Sequence, residues 1–376
     1  MPGIKFVSIH EPNGYGEAAR RYIAGLAAAG VPLTWTPMVR GRAWGLGYEP
    51  YEGTASDSPL GALCNRPLDY DTVIVHTVPE YFPAWRSREA GKRIVGLTVW
   101  ETDRPPAHWP ALLNAMDLLL VPCEWNRDVF RRHGVTTRIE VVPHAAPSGA
   151  IPPAGGRQRF AVRPGDFCFY TINAWTTRKA LWATIEAFLD AFTADDPVVL
   201  VVKTSREDFT RRRWLRLGPG TRRAVGRILA RYERPARVVL ITETLGDPEL
   251  LALHAAGDCY VSLTRGEGWG LGAFDAATFG RPVIMTGYGG QLDWLKAESA
   301  YLVRHTLVPV DDPRARASYS PDQRWAEADR GHASRLMREV HDCREAAAAR
   351  GMALQRHVHA RFGQAAVAER LLGALA

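Results

Sequence analysis

The run Arg-Gly-Glu-Gly-Trp-Gly-Leu-Gly-Ala-Phe-Asp-Ala-Ala-Thr-Phe-Gly-Arg-Pro-Val-Ile-Met-Thr-Gly-Tyr-Gly-Gly, residues 265–290, decides how the rest of the chain is read. The apolar run Cys259–Leu263 precedes it and reads as a strand. Gly268, Gly270 and Gly272 let the backbone come close to a ligand and leave N–H groups uncovered. The helix expected to begin near Gly272 points its positive end into the same space, which suits a phosphate. Asp275 follows Glu267 by eight residues and falls early in that helix, so both carboxylates can face one pocket. A single Glu-Gly-x-Gly is usually a plain strand-to-helix turn with solvated acids. Here the acid pair, the glycines, Gly-Arg-Pro-Val before the next strand and Gly-Tyr-Gly-Gly after it occur together, which favours a site.

The same alternation runs outward in both directions. Phe167–Thr171, Val198–Lys203, Val238–Thr242, Cys259–Leu263 and Pro282–Thr286 are expected strands, separated by helical stretches such as Ala180–Phe192 and Pro248–Ala256. From about Trp325 to Ala376 the chain reads as helix with no further strand. Upstream, residues 143–158 are rich in Pro, Gly and Ala and form the best linker candidate. Before it come strands at Phe6–Ile9, Leu33–Met38, Thr72–His76, Arg93–Thr98, Leu118–Val121 and Ile139–Val142, with a helix at Glu17–Ala29 ended by Gly30. Residues 40–66 read as a long surface loop. Strands alternating with helices imply parallel sheets covered on both faces. The expected fold is α/β, with two Rossmann-like doubly wound domains and a cleft between them, where ligands meet the carboxyl ends of strands.

Length and composition agree. At about 100–200 residues per domain, 376 residues suggest two domains. No stretch approaches the roughly 18 apolar residues of a membrane-spanning helix. The sequence from Met1 into Lys5–Ile9 lacks the charged, apolar, small-residue series of a signal peptide, and the five scattered cysteines form no CxxC. A cytoplasmic protein with reduced thiols is expected. The net charge of +7 favours an anionic ligand or surface. Only five of the 47 basic residues are lysines, which draws attention to each of them, Lys179 included.

Residues 265–290 resemble the Glu-x7-Glu signature of family 4 glycosyltransferases, retaining enzymes of the GT-B fold, with Asp275 in place of the second Glu. The resemblance extends over nearly the whole chain, specific in the C-terminal half and mainly architectural in the N-terminal half. It implies an N-terminal acceptor-side domain at 1–150, a C-terminal donor-binding domain at 151–355, and a helix at 356–376 returning to the first domain. It implies that Glu267 lies against the donor sugar and that Asp275 holds the ribose hydroxyls. The backbone N–H groups of Gly268, Trp269, Gly270 and Leu271 would then hold sugar hydroxyls and the distal phosphate. In Thr171–Ala180 the family shows Gly-Arg-x4-Lys-Gly. Lys179 matches the lysine as a phosphate ligand. Ala174 stands where the arginine would be, and Arg178 either replaces it or points to water.

Further contacts are implied in the first half. Gly14 and Gly16 lie in the loop that would close over the donor phosphates, the alternative being a plain tight turn. Glu101, with Asp103, follows the strand near Ile94, where the family often has a sugar-contacting histidine. His76 and His144 are either contacts of the same kind or hydrogen-bonded structural histidines. The implied partners are a UDP- or GDP-linked sugar and a sugar or lipid-linked acceptor. Competing readings are a nucleotide-sugar-binding subunit without catalysis and a GT-B epimerase or phosphorylase.

Other signals weigh less. Asp69-Tyr-Asp71 precedes an apolar run rather than ending one, so it reads as a turn cap and not a metal site. Residues 206–237 carry eleven arginines. A solvated basic face is favoured there, then contact with an anionic membrane at the inner face or an anionic acceptor, and last nucleic acid, for which no module matches. No resident cofactor or metal is expected, because cationic side chains and a helix end supply the charge. Glycosyl transfer should therefore survive chelation; activity abolished by EDTA and restored by magnesium or manganese would contradict this.

Overall fold

The computed structural model describes residues 3–54, 58, 60–147, 156–211 and 220–376. The chain divides into two units, Met1–Ser148 with Ala360–Ala376, and Gly149–His359. The first break falls within the linker candidate 143–158, of which 148–155 lie outside the described residues.

The first unit contains β1 (Gly3–Ile9), α1 (Gly14–Ala28), β2 (Leu33–Arg40), β3 (Tyr48–Pro50), β4 (Tyr70–His76), α2 (Phe82–Arg88), β5 (Arg93–Leu97), α3 (Trp109–Asn114), β6 (Leu118–Val121), α4 (Glu124–Arg132) and β7 (Ile139–Val141). They form one sheet of order β3-β2-β1-β4-β5-β6-β7. It is parallel except for β3, which runs antiparallel to β2. Val73-Ile74-Val75 and Leu118–Leu120 are wholly buried. Such continuous apolar runs are what a sheet covered on both faces requires. Asn13 caps α1 by accepting from the Gly16 N–H at 3.1 Å, and Gly30 follows its end with φ +73°.

The second unit contains β8 (Phe167–Ile172), α5 (Leu181–Ala191), β9 (Val198–Lys203), α6 (Gly220–Leu229), β10 (Arg237–Ile241), α7 (Asp247–Ala256), β11 (Cys259–Ser262), α8 (Leu271–Thr278), β12 (Val283–Thr286), β13 (Tyr301–Val303), β14 (His305–Pro309), β15 (Arg324–Ala328) and α9 (Arg330–Asp342). Its sheet has the order β10-β9-β8-β11-β12-β13 and is parallel in every pair. The chain ends in α10 (Arg344–Phe362) and α11 (Gln364–Leu375). The topology is mixed α/β with two doubly wound sheets.

Two expectations are corrected. Residues 40–66 are not one loop: β3 pairs with the end of β2, and Gly61–Leu63 makes a turn of 3₁₀-helix. The region from Trp325 is not purely helical, because β14 and β15 form a separate antiparallel ribbon with Leu307 opposite Ala326. Arg-Trp-Ala-Glu-Ala is rich in helix formers. Tertiary pairing overrides that propensity, burying Trp325 and Ala326 completely.

Helix α11 packs against α1 in the first unit, where a Cβ on Gly25 would meet Ala368, and its Val367 and Leu371 are buried. Leu371→Ala removes a fully buried side chain of α11. It should destabilise by about 2–5 kcal/mol, seen as a lower urea midpoint with unchanged slope. Leu307→Ala, at a residue 42% exposed on the ribbon, should stay within about 0.5 kcal/mol of wild type.

Candidate active site

The site begins where β8 ends. Ile172 leads into a turn that closes at Ala180, whose φ of +43° places it in the left-handed region just before α5. Asn173 Nδ2 donates to Ser262 Oγ at 3.2 Å, tying the turn to β11. Trp175 is buried; its N–H donates to Ser205 Oγ at 3.1 Å, and its carbonyl accepts from the Phe209 N–H at 3.0 Å. The turn thereby presents Arg178 and Lys179 in fixed positions.

Both cations reach Glu267. Lys179 Nζ lies 2.5 Å from Oε1, and Arg178 Nη1 lies 3.3 Å from Oε2. Thr264 Oγ1 lies 3.0 Å from Oε1, and Arg178 also donates to the Gly266 carbonyl at 2.6 Å. The Glu267 side chain is 8% exposed. Burial pushes its carboxyl pKa up, but the Lys179 ammonium and then the Arg178 guanidinium outweigh burial and hold it below the ordinary value of 4.5. Arg178 therefore points at the carboxylate and not at water.

The backbone around Glu267 is held from below. Gly270 has φ +83° and is the residue that turns the chain into α8. At Gly289, φ is +104° and a Cβ would lie 2.7 Å from the Glu267 carbonyl, so only glycine fits. The Gly290 N–H donates to that carbonyl at 2.8 Å. Trp269 turns its ring inward against Phe274 and Trp294, and its carbonyl accepts from Trp294 Nε1 at 2.9 Å. Leu271 and Gly272 open α8, where first-turn N–H groups have no acceptor within the helix.

Asp275 is half-buried on α8. Both carboxylates act on the Tyr260 hydroxyl, which is held neutral by burial first, then by the negative charge of Glu267, with a smaller push from Asp275. Thr264, Tyr260 and Asn173 were not singled out from sequence. Thr264 lies three residues before Glu267, but a threonine at that spacing carries no distinctive pattern. Arg265 was also passed over. Its guanidinium lies 5.4 Å from the Trp182 ring and 5.2 Å from the Trp325 ring, with Nη2 2.6 Å from Glu327. Its N–H donates to the Arg178 carbonyl and its carbonyl accepts from the Ala326 N–H, both at 2.8 Å. The β14–β15 ribbon is thereby fastened to the Glu267 loop.

In the first unit, Gly14 and Gly16 lie within the first turn of α1 rather than in a free loop. A Cβ on Gly16 would stand 2.0 Å from the Glu11 carbonyl, so packing requires glycine there whatever else the turn does. Glu101 is half-buried after β5, and its charge helps push up the pKa of the half-buried Tyr15 phenol, after the larger effect of desolvation. His76 and His144 are core residues. His144 Nδ1 meets the Tyr22 hydroxyl at 2.9 Å, and burial drives the His76 pKa down to about 3. Asp71 lies at the amino end of β4, away from the carboxyl ends of the strands.

Among the described residues no group of three or more His, Cys, Asp or Glu could hold a metal, and no helix is long and apolar enough to cross a membrane. In the described part of 206–237, Arg222 pairs with Glu243, Arg231 with Glu186, Arg234 with Asp195 and Arg237 with Asp166. Arg212, Arg213 and Arg216 lie outside the described residues.

No family model matches the chain, and no curated protein does. Solved structures do. Sucrose-phosphate synthase from Thermosynechococcus elongatus aligns with a TM-score of 0.73 at 16% identity, over 100% of this chain and 98% of that one. HepE from Anabaena, in complex with UDP and glucose, aligns with a TM-score of 0.65 at 12% identity, over 100% and 99%. An E. coli trehalose-6-phosphate protein bound with UDP-2-fluoro glucose aligns with a TM-score of 0.64 at 14% identity, over 99% and 98%. The fold is GT-B, as the sequence led us to expect.

The Lys179–Glu267 pair sets a pH-dependent stability. Lys179→Met should destabilise at pH 7 by about 1–3 kcal/mol, below the value for a fully buried pair because Arg178 still reaches the carboxylate. The folded pKa of Glu267 is depressed, so the pair's contribution is complete above the ordinary 4.5 and is lost as pH falls through the folded value. Urea unfolding of wild type and variant should show a gap at pH 7 that closes as pH falls below 4.5.

Proposed function

We propose that the chain is a retaining glycosyltransferase of the family 4 kind. It moves a hexose-type sugar from a UDP- or GDP-linked donor to a hydroxyl of a sugar or lipid-linked acceptor. The observation that carries this reading is the buried Glu267 held by Lys179 and Arg178 beside the glycine turn that opens α8. It lies at the carboxyl ends of β8 and β11, where open parallel sheets bind ligands. The proteins described above with UDP and glucose bound share this fold, which supports a nucleotide sugar as ligand.

In this reading the donor diphosphate lands on the Arg178–Lys179 turn and on the first-turn N–H groups of α8. These groups stabilise the charge that develops on the leaving diphosphate. Glu267 faces the sugar and Asp275 the ribose. Gly14, Gly16 and Glu101 are assigned to the donor and acceptor contacts of the first unit. No resident metal or cofactor takes part.

A second reading, a nucleotide-sugar-binding subunit without catalysis, is favoured by one observation. Ala174, where the family has arginine, is exposed in the turn and supplies no cation. A thermal-shift panel of nucleotide sugars finds the donor, because a ligand of the folded state raises the melting temperature. Product formation with added acceptors then separates transfer from binding alone.

The two carboxylates should behave differently. Asp275→Ala should weaken nucleoside diphosphate and donor alike and appear mainly in KM, because both ligands contain the ribose. Glu267→Ala should lower kcat far more than nucleotide affinity. Binding titrations alongside turnover make the comparison; the reverse pattern would mean that the roles are exchanged.

A further inference from the structure

Glu267 keeps its charge in a buried position only through its surroundings. Its side-chain partners are Lys179, Arg178 and the Thr264 hydroxyl. The other charged or titratable groups near it are accounted for. From β11 comes the neutral Tyr260 phenol, and from α8 comes Asp275, which acts on the same phenol. Arg265, on its own loop, is committed to Glu327. Gln291 is uncharged, with Nε2 on the Thr286 carbonyl at 3.0 Å. The charge of Glu267 thus depends on two cations, and both project from the turn assigned above to the diphosphate.

Lys179, Arg178 and Glu267 together carry a net charge of +1. A nucleotide-sugar diphosphate brings two further negative charges into the same space, leaving the cluster short of positive charge. A buried carboxylate that loses its cations does not stay ionised; it neutralises by binding a proton.

We propose that donor binding draws Lys179 and Arg178 from Glu267 to the diphosphate, and that Glu267 takes up one proton from solvent in exchange. This rests on the donor-site reading above and settles what Glu267 does there. In the complex it is a neutral acid that donates a hydrogen bond to the sugar, and not a nucleophile. Proton uptake on binding fixes the sign of the pH dependence. Affinity falls as pH rises, by up to about tenfold per unit, between the free and donor-bound pKa values of Glu267, and is flat above the latter.

Isothermal titration of the whole protein with UDP-, GDP- and ADP-glucose tests this. These diphosphates carry no group that titrates near neutrality, so any proton exchange belongs to the protein. At pH 6, in two buffers of different ionisation heat, the binding heats should differ by an amount approaching one proton per site, and the difference should vanish at high pH. Glu267→Gln should lose the buffer dependence and the pH slope while binding at least as tightly as wild type, because its cations are already released. Asp275→Asn should keep the uptake. Should Glu267→Gln fail to fold, infrared difference spectra of wild type should show a protonated carboxyl band on donor addition, and its absence would overturn the proposal. Equal heats in both buffers, or uptake lost in Asp275→Asn but kept in Glu267→Gln, would overturn it while leaving the donor site standing. Failure of all three nucleotide sugars to bind would overturn the donor-site reading and this proposal together.

Discussion

A carboxylate out of water is the constraint around which the second unit is arranged. Glu267 is buried, and an unpaired charge there would cost far more than the fold has to spare. The turn after β8 answers by delivering two cations to it. That turn must itself be rigid, hence the buried Trp175, the Asn173 tie to β11 and the left-handed Ala180. Beneath the carboxylate, Gly289 makes room for the Glu267 backbone and Gly290 bonds to it. The glycines of 265–290 are there as much to seat this charge as to leave space for a ligand.

How far the sequence revealed this depended on the kind of signal. The central strands were legible because Val73-Ile74-Val75, Leu118–Val121 and Val198–Val202 are apolar without a break, a pattern that few other structures produce. Lys179 drew attention because lysine is scarce in this chain and because it matches the lysine of the resembling family's loop. Some short elements were not: β3 and β13 have three residues each, although the equally short β7 was expected, and β14 and β15 find their pairing across an intervening stretch rather than through a local hairpin. Which way Arg178 points, and that Thr264 meets Glu267, are distances between side chains, and no pattern along the chain encodes them. His76 and His144 were left open between sugar contacts and structural histidines; they lie beside Phe6, Tyr15 and Tyr22, and both are buried.

The cation–aromatic stack at Arg265 explains why an excursion such as β14–β15 persists. A two-stranded ribbon has little stability of its own. Trp325 anchors it, and the stack of Trp182, Arg265 and Trp325 with the Glu327 pair makes it a brace on the loop that bears Glu267. Trp182 stands near the start of α5, so the brace reaches both halves of the charged cluster. Local geometry at the carboxylate is thus supported by residues far from it along the chain.

The placement of α11 has a consequence for the order in which the protein can be completed. The helix covers α1 and groups with the first unit, yet it is translated after the whole of the second. At about 5–20 residues per second, the gap between completing β7 and completing α11 is roughly 10–50 s. Throughout that interval the face of α1 that receives α11 at Gly25 has no cover, while the second unit can already close around its own sheet. The half made first is therefore finished last, and nascent chains should be most in need of chaperone protection along α1.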